Sequence, residues 1–196
     1  MLVTSGSDGS EQVALKEWAS AVQALKEGKL IMIMRKGGIA EETRDFRLVS
    51  PRFFLLPAYE HQRRELLKPE YQELVDQTLG EWSSGQDFLR IDTYAEAVDD
   101  IEVTDQEQLD KLRDLHIWTD TFAEERLKWK RKQPLHVLLL RVFRLEQPVE
   151  VPLRPAYTGC KSWVKLEEDI AEAAMKPVLT DEQFHEEMVN IRKRFD

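Results

Sequence analysis

Residues 35–65, RKGGIAEETRDFRLVSPRFFLLPAYEHQRRE, set two cations before a glycine pair, return through Phe53-Phe54-Leu55-Leu56 and end on a dense run of polar side chains. Arg35 and Lys36 supply positive charge, and Gly37-Gly38 lets backbone N–H groups approach a phosphate. The same four residues also make a plain hairpin turn flanked by solvated cations. His61 has an intrinsic pKa near neutrality and suits a general base, with Tyr59, Glu60 and Gln62 as neighbours. The plainer alternative is a surface histidine at a helix start. A third stretch, YTGCKSW, places Cys160 beside Lys161 and Ser162. A cation next to a thiol lowers its pKa, and a histidine in space would make Cys160 a nucleophile. It equally suits a small buried hydrophobe. The fourth stretch, ERLKWKRK, interleaves Arg126 and further cations with Trp129. That pattern fits single-stranded nucleic acid, and it also fits a helix C-terminus, where positive charge is favoured. A strand-borne Glu-x-Lys of the kind used by carboxylate-metal nucleases is missing, since Glu27-Gly28-Lys29 falls at a helix-to-strand turn.

The chain has 196 residues and a net charge of −9, long enough for one domain with a real core. Residues 1–10 read as a Ser/Gly-rich disordered lead, not a secretory signal, and residues 11–196 as a single domain closed by a helix over about 180–194. No apolar run approaches the ~20 residues of a membrane helix. One cysteine and four dispersed histidines give no internal disulfide and no zinc ligand set. The expectation is a cytoplasmic protein with no metal and no cofactor. The overall charge argues against non-specific duplex binding by the whole surface. Its distribution is uneven: residues 69–110 hold 13 acids and one base, whereas residues 111–165 hold twelve bases and six acids. Basic blocks at 35–68 and 111–165 could converge on RNA, single-stranded DNA or a nucleotide. The acidic block, with Asp92, Glu96, Asp99 and Asp100, could instead dock a protein partner.

These residues hang on elements readable from periodicity. Ser10 caps a helix over about 11–27, with Leu15, Trp18, Val22 and Leu25 on one face and Gly28 as its stop. Strands are expected at 30–35, 46–49 and 53–56, the last ended by Pro57. A helix runs from Pro69 to about Leu79. Residues 88–103 form one or two strands, with a turn suggested at Asp99-Asp100. Thr104 with Glu107 caps a short helix, and Thr121 or Thr119 caps another to about Lys132. Residues 135–145 read as the strongest strand, followed by a short edge strand between Pro148 and Pro152. A last strand spans 163–166, and Thr180 with Gln183 opens the terminal helix. Helices do not alternate singly with strands, so the fold class is α+β: a small mixed or barrel-like sheet with helices packed around it.

ALKEWA (residues 14–19), RKGGI (35–39), FFLLPAYEHQ (53–62), LLLRVFRL (138–145) and GCKSWV (159–164) together resemble a bacterial family common in cyanobacteria, domain of unknown function family 1802. That resemblance covers about residues 13–166 and implies a fold without an activity. The opening is also similar to PUA-like and ASCH barrels, which bind or modify RNA and nucleosides: a helix, then Leu25-x-x-Gly28-Lys29, then a strand. Where those barrels carry Thr and Glu, this chain has the apolar residues 30–34, so a Lys–Thr–Glu catalytic set does not transfer. Three alternatives follow: a nucleic-acid or nucleotide binding module on a PUA-like barrel, an enzyme with a polar pocket formed by residues 35–38, 59–64 and 157–163, or a protein-interaction module. The strand order further predicts that Arg35, His61 and the loop 160–162 emerge on one rim, at the ends of adjacent strands. On that rim Arg35 is an exposed cation, whose replacement by alanine changes stability by no more than about 0.5 kcal/mol.

Overall fold

A computed structural model describes residues 12–36, 46–83, 85–129, 132–159, 161–170 and 174–196. The fold is α+β. Among the described residues the strands are β1 (Val13–Trp18), β2 (Met32–Arg35), β3 (Arg52–Ala58), β4 (Phe88–Val103), β5 (Leu135–Pro152), β6 (Trp163–Lys165) and β7 (Met175–Pro177). They form one mixed, curled sheet in the order β2-β5-β4-β3-β1-β6, with β7 on β5. The helices are α1 (Ala19–Lys26), α2 (Gln72–Glu81), α3 (Gln106–Asp110), α4 (Asp120–Lys128) and α5 (Asp181–Arg192).

The first element departs from the sequence expectation. About a third of the predicted opening helix is strand β1, which pairs parallel with β3 from Ala14↔Phe54 to Trp18↔Ala58. Alternation explains the switch: Leu15 faces the larger core with Phe53 and Leu55, while Ala14 faces a second core with Phe54 and Leu56. Both faces are buried, so pairing overrides a helical spacing that the sequence also satisfies. The run 46–49 forms no strand. Pro57 does not end β3 but lies inside it. Pairing with β4 stops at Phe54↔Tyr94, so Pro57 has a neighbouring strand on one side only, where proline is tolerated.

β4 is one long strand, one of the two expected forms, and β5 is a single strand where a strand over 135–145 and a separate edge strand were expected. Their ladder runs from Phe88↔Pro152 to Val103↔Leu135, with irregularities at Ile91/Thr93 and Ala97/Asp99. The second irregularity stands where the Asp99-Asp100 turn was expected. Bulges bend a strand and increase its twist without ending it, which lets the sheet curl. Helix caps fall close to the expected residues. Asp105 rather than Thr104 caps α3, Thr119 caps α4, and Thr180 with Gln183 forms the capping box of α5.

α1 ends on Gly28, whose φ is +71°; the Gly28 N–H reaches the Leu25 carbonyl at 3.1 Å and the Lys29 N–H that of Ala24 at 2.9 Å. A Cβ at Gly28 would lie 2.9 Å from Leu179 Cδ2 and 3.4 Å from Val178 Cγ1. Left-handed backbone plus this contact makes Gly28→Ala costly, by about 1–2 kcal/mol. Urea unfolding of Gly28→Ala measures the loss; an unchanged midpoint would show that the turn relaxes freely.

Candidate functional site

β2 and β6 stand at opposite ends of the strand order, yet the curl brings their ends together at one side chain. Arg35, the last residue of β2, donates from Nη1 to the Lys16 carbonyl and to Glu17 Oε2, both at 3.2 Å, and from Nη2 to Ser162 Oγ at 2.5 Å. Glu17 Oε1 also accepts the Trp18 N–H at 2.8 Å. The pair is buried: the Arg35 side chain is 13% exposed and that of Glu17 7%. Phe46 lies against the guanidinium, 5.6 Å from Arg35 Cζ to the ring centre. It also stacks on Trp163 at 6.2 Å and touches His136 at 5.6 Å. His136 is the β5 register partner of Arg35, and Asp100 holds its Nδ1 at 2.9 Å.

Helix α4 closes the cluster. Phe122, in its first turn, stacks on Trp18 at 5.3 Å with planes 29° apart. Arg126, one turn later, lies over the Phe122 ring at 5.3 Å. Residues four apart share a helix face, so one face presents both ring and cation. Lys36 is buried and its ammonium donates to the Leu127 carbonyl, at a helix end that favours positive charge. Burial holds the Lys36 ammonium below its usual pKa. Burial also holds the Arg126 guanidinium below its usual range; Glu17 favours its charge and Arg35 opposes it. Arg35 therefore pairs with Glu17, Arg126 stands within electrostatic reach of both, and Lys36 is held at the end of the same helix. Among the described residues no acceptor hydrogen-bonds the Arg126 guanidinium, and Arg35 Nε is buried without a partner.

The structure thus joins Arg35, Lys36, Arg126 and Ser162, and leaves other candidates apart. Tyr59 stacks on Trp82 at 5.4 Å with planes 11° apart; burial, with Glu81 and Asp92, raises its phenol pKa. Gln62 is buried and structural: it accepts the Ser20 N–H at 3.1 Å and donates to Thr78 Oγ1 at 3.1 Å, tying α1 to α2. Glu60 and His61 are exposed at a turn where His61 has φ 66°. Among the described residues no hydrogen bond, ion pair or ring contact links residues 59–62 to Arg35, Arg126 or Ser162; Tyr59 lines a separate groove of about 460 Å³ between α1, α2 and β4. Lys161 is exposed. Gly37, Gly38 and Cys160 lie outside the described residues. Two parts of the rim expectation need correction. Arg35 meets Ser162 across the curl, not at the ends of adjacent strands, and it is not an exposed cation.

Sequence reasoning missed Glu17, Trp18, Phe46 and Phe122. The usable signal was Glu17 itself, an acid inside the apolar alternation VALKEW, which requires a basic partner once β1 is buried. The acidic face has an internal explanation. Asp92 pairs with Lys26 at 2.9 Å, Glu96 with Arg52 at 3.1 Å, Asp99 with Arg192 at 2.8 Å and Asp100 with His136 at 2.9 Å.

Fold and cluster together define an α+β protein with a mixed, half-barrel sheet whose two edges meet around a cation–aromatic cluster. The chain belongs to the family described as domain of unknown function DUF1802, whose model matches residues 14–190 and so reaches through most of α5. Among solved structures it is similar to the ZmASCH protein from Zymomonas mobilis in two mutant forms. One, with a tyrosine replaced by phenylalanine, matches at 10% identity and TM-score 0.43, covering 81% of this chain and 92% of that one. The other, with a serine replaced by alanine, matches at 10% identity and TM-score 0.44, covering 85% and 92%. No curated protein matches the chain. Among the described residues no helix is long and apolar enough to cross a membrane.

Proposed function

We propose that this protein is a nucleic-acid or nucleotide binding module and that the cluster of Arg35, Lys36, Arg126, Trp18 and Phe122 receives the anionic ligand. One observation carries this reading. The half-buried Arg126 guanidinium lies on an aromatic ring, beside the like charge of Arg35, with no acceptor among the described residues. Arg35 and Arg126 beside the one carboxylate of Glu17 leave an excess of positive charge in a partly desolvated place, and an anion offsets it. The adjoining rings favour a ligand that pairs phosphate with a planar base, since aromatic side chains and arginine planes are general base-stacking partners. The internal pairing of Asp92, Glu96, Asp99 and Asp100 weighs against a free acidic docking face.

Filter binding to single-stranded RNA and single-stranded DNA tests the reading. Affinity should fall as salt rises from about 50 to 200 mM, as phosphate contacts require. Arg126→Ala should weaken binding by about tenfold or more, the worth of a charge-assisted hydrogen bond, while circular dichroism stays native. Undetectable binding at the lower salt would remove the proposal.

A further inference from the structure

We infer that the groove between α1, α2 and β4 is a second ligand site, and that it takes a small organic cation: an ammonium group on a flat apolar body. The inference stands apart from the nucleic-acid reading, because it uses no residue of the Arg35 cluster. Size and lining are the first argument. The groove holds about 460 Å³, inside the roughly 300–1,000 Å³ of small-molecule sites. Small side chains leave that space: Ala19 and Val22, both buried, line it from α1, and Pro57 lines it from β3. An aromatic wall stands beside this floor. The Tyr59 ring lines the groove and stacks on Trp82, at 5.4 Å with planes 11° apart, so its orientation is set before a ligand arrives. Phe88, a large apolar side chain left exposed, lines the same groove.

Charge is the second argument. Lys26 and Asp92 line the groove and pair with each other at 2.9 Å. Arg90, Glu81 and Glu150 remain. Among the described residues none of these three side chains makes a hydrogen bond or ion pair. Arg90 and Glu150 are register partners on β4 and β5, which leaves Glu81 as the carboxylate without a cation opposite. Its field reaches the aromatic wall: burial first, then Glu81 and Asp92, raise the Tyr59 phenol pKa, and Arg90 opposes them. Two carboxylates against one guanidinium leave one negative charge, which a monocation balances and an anion worsens. Aromatic rings attract the same kind of ligand through their quadrupoles. Glu81 and Glu150 are exposed, so the charge preference is modest and weakens with salt.

Heteronuclear NMR of the isotope-labelled protein tests the inference with benzylamine and benzyl alcohol, two probes alike in shape and different in charge. The reporter is the Trp82 indole N–H peak, assigned by its loss in Trp82→Phe. Benzylamine should shift that peak to saturation and bind about fivefold tighter than benzyl alcohol at low salt. The indole peaks of Trp18, Trp118, Trp129 and Trp163 should stay in place. The advantage of the amine should shrink to about twofold or less in the double variant Glu81→Gln with Glu150→Gln, two exposed substitutions that leave the fold intact. Equal affinity for the two probes overturns the inference, as does an unmoved Trp82 peak with both. A drift of all the indole peaks together marks association with the acidic surface at large and also overturns it. So does an advantage undiminished in the folded double variant, because the charge is then sensed elsewhere. None of these outcomes bears on oligonucleotide binding, so the nucleic-acid reading stands or falls separately.

Discussion

Arg35→Ala is expected to destabilise the protein by about 3–5 kcal/mol, the cost of removing one partner of a buried ion pair. The figure follows from what stays behind. Glu17 is 7% exposed, and without Arg35 its carboxylate would keep, among the described residues, the Trp18 N–H as its hydrogen-bond donor at 2.8 Å. The Lys16 carbonyl and the Ser162 hydroxyl would lose a donor at the same time. These groups belong to β1 and to the residue before β6, so the substitution also loosens the seam between the two ends of the sheet. The double variant Glu17→Gln with Arg35→Ala should regain part of the loss, because the unpaired carboxylate is gone, even though Arg126 loses the charge of Glu17. That recovery separates an ion-pair effect from lost packing. Urea unfolding of both variants at neutral pH provides the measurement. A loss of about 0.5 kcal/mol or less in Arg35→Ala, the range of ordinary surface substitutions, would show that water solvates the pair and that the seam does not depend on it.

This expectation is far larger than the one drawn from the sequence, and the reason is physical. Arg35 ends an apolar strand, so its place at a strand end was legible in LIMIMR. Its burial was not, because burial arises from curl. The curl depends on irregular pairing at Ile91/Thr93 and Ala97/Asp99, and a bulge needs no signature residue. Local chemistry was read more faithfully than tertiary chemistry. The Thr180–Gln183 capping box and the Gly28 stop involve residues a few positions apart, and both are present. By contrast, VALKEW satisfies helical spacing and strand alternation alike, and only its partner FFLLP, some forty residues on, decides between them.

The site was legible to a similar degree. Arg35, Lys36, Arg126 and Ser162 were recognised as candidates by residue type, and the structure brings them together. The polar run at 59–62 was grouped with them because it follows a buried strand. Its one fully committed side chain, Gln62, instead satisfies the backbone at the start of α1 and a hydroxyl of α2. Side-chain density identifies loops that leave a sheet. It does not say which way they turn, and that direction separates a binding group from a structural bracket.

Acidification from about pH 6.5 to about pH 4 is expected to cost the fold roughly 3 kcal/mol through one histidine. His116 lies between α3 and α4 and is 2% exposed. Its Nδ1 is buried without a partner, and its ring packs near Trp118 at 6.1 Å. Burial, then the nearby Lys68 charge, lowers its pKa from 6.5 to about 4; the Lys68 ammonium sits on the His116 carbonyl at 2.6 Å. Asp120 and Asp114 act in the opposite sense and only reduce the shift. Because the folded value lies below the unfolded one, the unfolded chain takes up the proton first. The contribution is complete above about pH 6.5 and is lost as pH falls toward about 4. Asp114, held at about 2 by the Arg194 guanidinium, contributes in the same direction, mainly below the range where His116 acts. His116→Phe keeps an apolar ring against Trp118 and removes the titration. Urea unfolding at intervals between about pH 7 and pH 4.5 should give a falling stability for the native chain and a flatter line for His116→Phe. Parallel lines for the two proteins would mean that His116 keeps its proton equilibrium on folding, and that the loss of stability in acid belongs to the carboxylates.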